Sequence, residues 1–280
     1  MRVTMVAVHF SLAEQTAMSI YQPTARNYAQ ESENKMHSDE IAKQFGFDGA
    51  LVAGVAVFGH MTYPLVNTLG IDWLTGYSAS IRLFKPAYHG DVLNIEHTET
   101  NGQHLVRCSA RDDVVLAELR SEMKLPPVSE LSLQPGGAPV EDRGVVAWDE
   151  IHENEPFPSF KWTPTSEENE TFTSQIDDPL ALYVSGIVHP HLVLSQANRA
   201  FSHRFVLPAW IHVGSEILFR ELLRVGDEVE IHTVPARKWR QKGRENGHEF
   251  VELHIAYRVG DRVVTEIKHT AIFNVAARAA

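Results

Sequence analysis

The sequence predicts an α+β protein made of two similar units, each with an antiparallel sheet wrapped around a long helix. Residues 50–69 are apolar almost all the way round, which is typical of a helix that is buried on most sides. From Tyr77 onward apolar residues alternate with polar ones, and Asn101-Gly102 and Asp112-Asp113 predict turns between successive strands. The second half of the chain repeats this arrangement.

The internal repeat extends the prediction over nearly the whole chain. Gly90-Asp91, in a predicted turn, matches Gly226-Asp227 at an offset of 136 residues. The same offset relates Leu51-Val52 to Ile187-Val188, Gly54 to Pro190, and Ile81 to Ile217. The expected units are residues 1–127 and 159–280, and residues 128–158 are expected to form a long connecting segment. The second unit is expected to be a degenerate copy of the first.

Local signals predict the smaller elements. A short helix is expected over residues 24–30, and Ser38 is expected to cap a second helix that ends at Gly46. Pro64 is expected to kink or end the long helix, because proline lacks the backbone N–H. Residues 1–15 contain alternating valines and no small-residue cleavage site, so they are expected to form a strand and not a signal peptide.

The composition excludes several classes of function. The 280 residues carry a formal net charge of −11, which argues against a nucleic-acid partner because phosphate binding needs a basic surface. No window contains the roughly 18 apolar residues of a membrane-spanning helix. Cys108 is the single cysteine, so no internal disulfide can form, and the protein is expected to be cytoplasmic. His189 and His191 have metal-like spacing without supporting cysteines or carboxylates, so neither a metal nor a cofactor is expected.

A polar loop that ends at His37 directly precedes the long helix and is the candidate active site. The unperturbed pKa of histidine lies close to neutrality, so His37 can act as a general base. In the second unit the corresponding residues, 178–181, read Asp-Pro-Leu-Ala and lack the histidine. One working site is therefore expected in the two-unit protein.

The residues around this loop form a pattern: Tyr28-Ala29, Asn34, Met36-His37, Asp39, Ala42, Gly46-Phe47 and Leu51-Val52-Ala53-Gly54. The pattern resembles the signature of the MaoC-like dehydratase and (R)-specific enoyl-CoA hydratase family. Together with the repeat, the resemblance implies a double hotdog fold, in which two antiparallel sheets each wrap a long central helix and form a pseudo-dimer. It also implies activity on acyl thioesters.

The resemblance implies roles for two residues of this chain. His37 takes the place of the family's catalytic histidine. The backbone N–H of Gly54, near the start of the long helix and without a side chain to crowd it, takes the place of the donor to the thioester oxygen. Reversible hydration also needs a second group that handles the water or its proton, and in the family this group is an aspartate.

The family's aspartate falls on Ser32 of this chain, the preceding glycine on Glu31 and the proline of the motif on Lys35. Glu31 or Glu33 could supply the missing carboxylate. Alternatively, Ser32 or Asn34 could hold the reacting water without titrating. The expected catalytic set is therefore His37, Ser32, Glu33, Asn34 and Gly54, with the partner of His37 left open.

Residues 237–244 (RKWRQKGR) carry five positive charges in eight positions of an otherwise acidic chain. One interpretation is a solvated hairpin. The other is a clamp for the phosphates of coenzyme A or for the acidic face of an acyl carrier protein, with Trp239 stacking on adenine. The candidate binding residues are Arg237, Lys238, Trp239 and Arg240, with possible contributions from Arg82 and Lys85.

The leading hypothesis is an acyl-thioester hydratase or dehydratase that interconverts (R)-3-hydroxyacyl and trans-2-enoyl thioesters carried by coenzyme A or an acyl carrier protein. A thioesterase on the same fold, with Glu31 or Glu33 activating water, is the second hypothesis. A non-catalytic subunit that binds acyl thioesters is the third, suggested by the lost aspartate. The chain could act as a monomer, because it already contains two units, or as a homodimer of such pairs.

Overall fold

The computed structural model describes residues 18–243 and 247–276. The strand expected over residues 1–15 lies outside the described residues, as does Arg244 of the basic segment. No helix in the described ranges is both long and apolar enough to cross a bilayer.

Among the described residues, the first half of the chain contributes five strands and the second half seven. The first five are β1 (Met18–Tyr21), β2 (Ser78–Leu83), β3 (Asn94–Thr100), β4 (Gln103–Ala110) and β5 (Val114–Glu122). The predicted turn at Asn101-Gly102 joins β3 to β4, and both residues have positive φ, 53° and 76°, as a tight hairpin turn requires. Cys108 is fully buried in β4, and burial raises the pKa of its thiol to about 12.

The second half contributes seven further strands. They are β6 (Gly144–Val145), β7 (Phe157–Trp162), β8 (Phe205–Val206), β9 (Ile211–Phe219), β10 (Val229–Arg240), β11 (Glu249–Val259) and β12 (Arg262–Asn274). Strands β6 and β8 form a small parallel pair.

The other ten strands form one continuous antiparallel sheet, in the order β1-β3-β4-β5-β2-β9-β12-β11-β10-β7. Two separate sheets were expected from the sequence. They are joined because β2 pairs with β9, from Ser78 opposite Leu218 to Arg82 opposite Gly214. The halves of the chain therefore share backbone hydrogen bonds in the middle of the sheet.

In the part of the chain that the structure describes, four α-helices accompany the strands: α1 (Asp39–Gln44), α2 (Gly54–Leu69), α3 (Ser166–Gln175) and α4 (Pro190–Arg204). Helices α2 and α4 pack against each other, and Gly59 allows this because an added Cβ would lie 2.9 Å from the Cβ of His191. Pro64 does not end α2, which continues to Leu69. The helix expected over residues 24–30 is not formed. This segment is not helical, and Thr24 forms an isolated antiparallel bridge with Val92, just before β3.

Matching backbone contacts recur at the predicted offset of 136 residues. Leu51 bridges to Tyr88 in the first half, and Ile187 bridges to Arg224 in the second. The N–H of Val52 donates to Ala87, and that of Val188 donates to Leu223. The repeat in the sequence thus corresponds to a repeated way of holding the entry to α2 and α4.

The connecting segment is attached to the face of the sheet opposite α4. Glu266 of β12 accepts hydrogen bonds from the Ser129 N–H at 2.9 Å and the Ser132 hydroxyl at 2.5 Å, and it also pairs with Arg220. His254 donates to the Ser132 hydroxyl at 2.6 Å. Burial alone would raise the pKa of Glu266, but these hydrogen bonds lower it to about 2.

Several histidines are buried and neutral. His60 of α2 is 2% exposed, and neither of its ring nitrogens has a hydrogen-bond partner in the described ranges. Burial lowers its pKa from 6.5 to about 4, and lowers that of His191 to about 3 and that of His212 to about 4. In the unfolded chain each of these groups takes up a proton near pH 6.5, so acidification below that pH favours unfolding until the lowered pKa is reached.

We predict that His60→Leu flattens this pH dependence. The substitution removes a group that is protonated in the unfolded state and neutral in the folded state, without removing a hydrogen bond. When the pH is lowered from 7 to 5, the unfolding free energy of the variant should therefore fall by about 1–2 kcal/mol less than that of the native protein. Urea denaturation at both pH values measures this difference. His152→Gln, at an exposed histidine, is the control and should change nothing. An equal effect of His60→Leu at both pH values would contradict the prediction.

Candidate active site

His37 is the last residue of a 3-10 turn, Lys35–His37, that precedes α1. Its Nδ1 lies 2.7 Å from the carbonyl oxygen of Leu51. Because a carbonyl only accepts hydrogen bonds, Nδ1 carries the proton and the lone pair is on Nε2. Burial lowers the pKa of His37, partly offset by the bond to Leu51. The ring is therefore a neutral imidazole with a fixed tautomer, which is the form that a general base requires.

Asn34 holds the loop that carries His37. Its Oδ1 accepts from the N–H of Met36 and from the N–H of Trp210, each at 3.2 Å. Its Nδ2 donates to the carbonyl oxygen of Trp210 at 3.0 Å and, because Nε2 carries the lone pair, also donates to Nε2 of His37 over a longer distance of 3.3 Å. Asn34 is 8% exposed, so a buried amide joins the first-half loop to the backbone that leads into β9.

Two cavities meet beside His37. The larger, which we call the vestibule, has a volume of about 640 Å³ and lies between the loop and α4. The smaller, which we call the inner pocket, has a volume of about 220 Å³. Its walls are mainly apolar and include Val57, Leu83, Phe84, Pro86, Ile211 and Ile272.

Five residues line both cavities, and we call their common surface the junction: Asn34, His37, Ala53, Asn198 and Trp210. His37 thus belongs to a wall that both cavities share. A ligand with a polar part and an apolar part could place the bond between them at this position.

The vestibule carries three guanidinium groups, although the chain as a whole is acidic. Arg143 pairs with Glu33 through two hydrogen bonds, of 2.6 and 3.0 Å, and donates to the carbonyl oxygen of Ser202 at 2.7 Å. Arg26 also lines the vestibule and pairs with Asp177 at 2.8 Å, outside its walls. Arg199 completes the set from α4. Because Arg143 and Arg26 are already paired with carboxylates, Arg199 is the vestibule guanidinium that makes no ion pair within the described residues and could face an anionic ligand.

Ser32 and Glu33, two of the predicted partners of His37, line the vestibule, and another, Glu31, lies outside both cavities. Ser32 lines the vestibule, and its hydroxyl makes one long contact, 3.4 Å, with the carbonyl oxygen of Asn34. Glu33 is held by Arg143, whose hydrogen bonds lower its pKa, and Glu31 is exposed and outside both cavity walls. Within the described residues, no carboxylate makes a hydrogen bond with the His37 ring. A partner of His37 would therefore have to be a polar group other than a carboxylate.

Gly54 is the first residue of α2 and lines the inner pocket. A Cβ at this position would lie 2.5 Å from Cδ1 of Leu83 and 3.0 Å from Nδ1 of His212, so close packing explains the glycine. The first N–H groups of a helix have no acceptor within that helix, which leaves those of Gly54 and Val55 directed outward from its N-terminus. Val55 lines the vestibule.

The four basic-segment residues lie in β10, away from both cavities. Arg237 pairs with Glu252 at 2.9 Å and Arg240 with Glu249 at 2.8 Å, both across to β11. Lys238 donates to the carbonyl oxygen of Trp148 at 2.6 Å, and the Trp239 ring stacks on that of Phe250. Arg82 and Arg237 share a separate groove, whereas Lys85 lines the inner pocket.

The polar face of α4 was not predicted from the sequence. Four of its residues that line the vestibule follow a helical spacing of four, three and four residues: His191, Ser195, Asn198 and Ser202. This polar stripe on a helix that had to be buried was a signal of an internal cavity. Trp210 and Arg143 could not have been found in this way, because their positions depend on tertiary contacts.

The second half contains a different polar group at the matching place. Asp178 Oδ1 accepts from the N–H of Leu180 at 2.9 Å, as Asn34 does from Met36. Its Oδ2 lies 3.1 Å from Nε2 of His189, and both side chains are fully buried. The aspartate and histidine are not part of either cavity wall. They hold the entry to α4 and are not placed to reach a ligand.

Comparison of the sequence with family models and with curated proteins finds no match. Comparison of the fold with solved structures does. A protein from Chloroflexus aurantiacus, described as a MaoC domain dehydratase, superimposes with a TM-score of 0.65 at 13% identity, covering 95% of each chain. A Mycobacterium tuberculosis protein with a double hotdog fold gives 0.56 at 13% identity, covering 91% of this chain and 95% of its own. A dehydratase domain from a trans-AT polyketide synthase gives 0.54 at 14% identity, covering 92% and 99%. The double hotdog fold is thereby confirmed.

We predict that Asn34→Ala destabilises the protein by about 2–4 kcal/mol, because it leaves the buried polar groups of Trp210 and Met36 without partners. Ser32→Ala, which removes one long hydrogen bond two residues away, should cost less than about 1 kcal/mol. Chemical denaturation of both variants tests the comparison. Equal stabilities would contradict the role given to Asn34.

Proposed function

Because the chain shares the double hotdog fold of MaoC-like dehydratases, we propose that it is an acyl-thioester hydratase or dehydratase. It interconverts (R)-3-hydroxyacyl and trans-2-enoyl thioesters. The observation that carries the proposal is His37: a neutral imidazole, with Nδ1 bonded to Leu51 and Nε2 at the junction of a polar and an apolar cavity.

His37 alone can provide the proton transfers of this reaction. In hydration, Nε2 takes a proton from water as the water oxygen bonds to C3 of the enoyl group. The electrons of the C2–C3 double bond shift toward the thioester oxygen, where the N–H of Gly54 stabilises the negative charge. The imidazolium then gives its proton to C2. A histidine with a lowered pKa is well suited to this second step, because its protonated form gives up the proton readily.

The two cavities would hold different parts of the substrate. The acyl chain would enter the inner pocket, where each buried methylene contributes about 0.8 kcal/mol. The pantetheine arm of coenzyme A or of an acyl carrier protein would leave through the vestibule, past Arg26, Arg143 and Arg199. Arg237, Lys238, Trp239 and Arg240 lie too far from this path to line it, and would serve only more remote parts of a carrier.

The remaining assignments follow from the same proposal. Asn34 positions His37, and Ser32 and Glu33 shape the vestibule wall near the substrate. Residues 1–127 carry the chemistry, and residues 159–280 form the opposite wall beyond the connecting segment 128–158. The protein acts in the cytoplasm, as a monomer or as a homodimer of two-unit chains.

We predict that His37→Ala lowers kcat/KM for the hydration of crotonyl-CoA by a factor of about 10²–10⁴. The assay follows the loss of the enoyl absorbance with chain lengths from four carbons upward. Turnover by the native protein that is no faster than that of His37→Ala would refute the proposal. Release of free thiol without hydration would instead assign a thioesterase. Tight binding without any turnover would assign a non-catalytic subunit.

The pH dependence provides an independent prediction. Since His37 must be neutral and its pKa is lowered from 6.5, kcat/KM should be constant through neutral pH and fall only below pH 6.5. His203→Gln is the matched control, because it removes another vestibule histidine and should leave the acid limb unchanged. An acid limb above pH 6.5, or one abolished by His203→Gln, would contradict the assignment.

A further inference from the structure

We infer that Asn198, on α4 of the second half, is the hydroxyl-binding residue of the active site: it accepts a hydrogen bond from the 3-hydroxyl of the hydroxyacyl group, or from the water that becomes it. The inference rests on the proposed function and names the second polar group that the reaction needs. It also places that group on the half of the chain that lacks the catalytic histidine.

The position of Asn198 is the first observation. Of the five residues at the junction, His37, Asn34 and Asn198 have side chains that can accept a hydrogen bond, whereas Ala53 has no polar side-chain group and Trp210 has only a donor, its indole N–H. A substrate that spans both cavities must pass these residues. The reacting carbon atoms would therefore lie between the loop that carries His37 and the face of α4 that carries Asn198.

The hydrogen-bonding state of Asn198 is the second observation. Its Oδ1 is buried and has no partner in the described ranges of the chain. A buried acceptor without a donor costs about 1–3 kcal/mol, so such a group needs a reason to be present. A donor supplied by the ligand is a sufficient reason, and a hydroxyl or a water is the donor that this reaction offers.

The other side-chain acceptors at the junction already have donors within the chain. Asn34 uses Oδ1 for two backbone N–H groups, and its Nδ2 donates to the Trp210 carbonyl and to Nε2 of His37. Ser195, one turn before Asn198, donates its hydroxyl to the carbonyl oxygen of His191 at 2.8 Å. The ring of His37 makes no hydrogen bond with a carboxylate of the described residues. Asn198 is left as the acceptor that can hold oxygen against C3.

Two substitutions of similar size separate this role from a structural one. Asn198→Leu removes the acceptor, and Asn198→Asp keeps it. Since Oδ1 bonds to no protein group, neither change breaks an internal hydrogen bond, and both variants should melt within a few degrees of the native protein. Ser195→Ala is a further control on the same face of α4.

The experiment measures binding by calorimetry in the His37→Gln background, so that the ligand is not converted. The probes are (R)-3-hydroxybutyryl-CoA and butyryl-CoA, which differ by the hydroxyl. We expect the background to prefer the hydroxylated ligand by about threefold to tenfold, the range of one hydrogen bond. Asn198→Leu should reduce this preference to less than twofold. Asn198→Asp and Ser195→Ala should retain it.

The possible results distinguish this inference from the proposed function. A preference that persists in Asn198→Leu, the absence of any preference, or failure of both ligands to bind would overturn the role of Asn198. If the native protein nevertheless hydrates crotonyl-CoA, the proposed function stands without the hydroxyl-binding role of Asn198. Conversely, a preference that depends on Asn198 in a protein without turnover would support the hydroxyl site and refute the hydratase.

Discussion

The buried contact between Asn34 and the backbone of Trp210 is the interaction on which the candidate site depends. A single side-chain amide satisfies both the N–H and the carbonyl of one residue and faces the ring of His37 as well. Because the partners belong to different halves of the chain, this contact fixes the loop that carries His37 against the second half. The ring of His37 is thereby held at the junction, opposite the face of α4.

Much of the fold could be predicted from the sequence because its hydrophobic patterns and its repeat are periodic. The repeat at 136 residues, the buried helix and the alternating strands each report a local pattern, and the matching bridges at Leu51 and Ile187 have the same origin. The joining of the sheets through β2 and β9 was not readable, because strand pairing across the halves leaves no pattern in either strand. Pro64 does not end α2 because the helix is packed on several sides, which outweighs the cost of one lost hydrogen bond.

Only part of the candidate site could be proposed from the sequence, for the same physical reason. His37 and Gly54 stand in a contiguous pattern, so the resemblance to a family could single them out as candidates. Arg143 and Asn198 come from the connecting segment and from α4, and only the folded chain brings them to the loop. In the basic segment of β10 the charges are engaged by facing glutamates and by Trp148, and the clamp for a carrier stays a prediction. A cluster of charges in sequence indicates a ligand only when the fold leaves it unpaired.

The pairing of β2 with β9 has a consequence for how such a protein can change over evolutionary time. In a dimer of identical chains, every substitution would appear on both sides of the shared sheet and in both loops at once. Here the two sides belong to one gene, so each can vary alone. The loop of the first half carries Asn34 and His37, whereas the equivalent place in the second half holds a buried Asp178–His189 pair. Because α4 has no second active loop beside it, its residues can vary to suit their role as the opposite wall of the site.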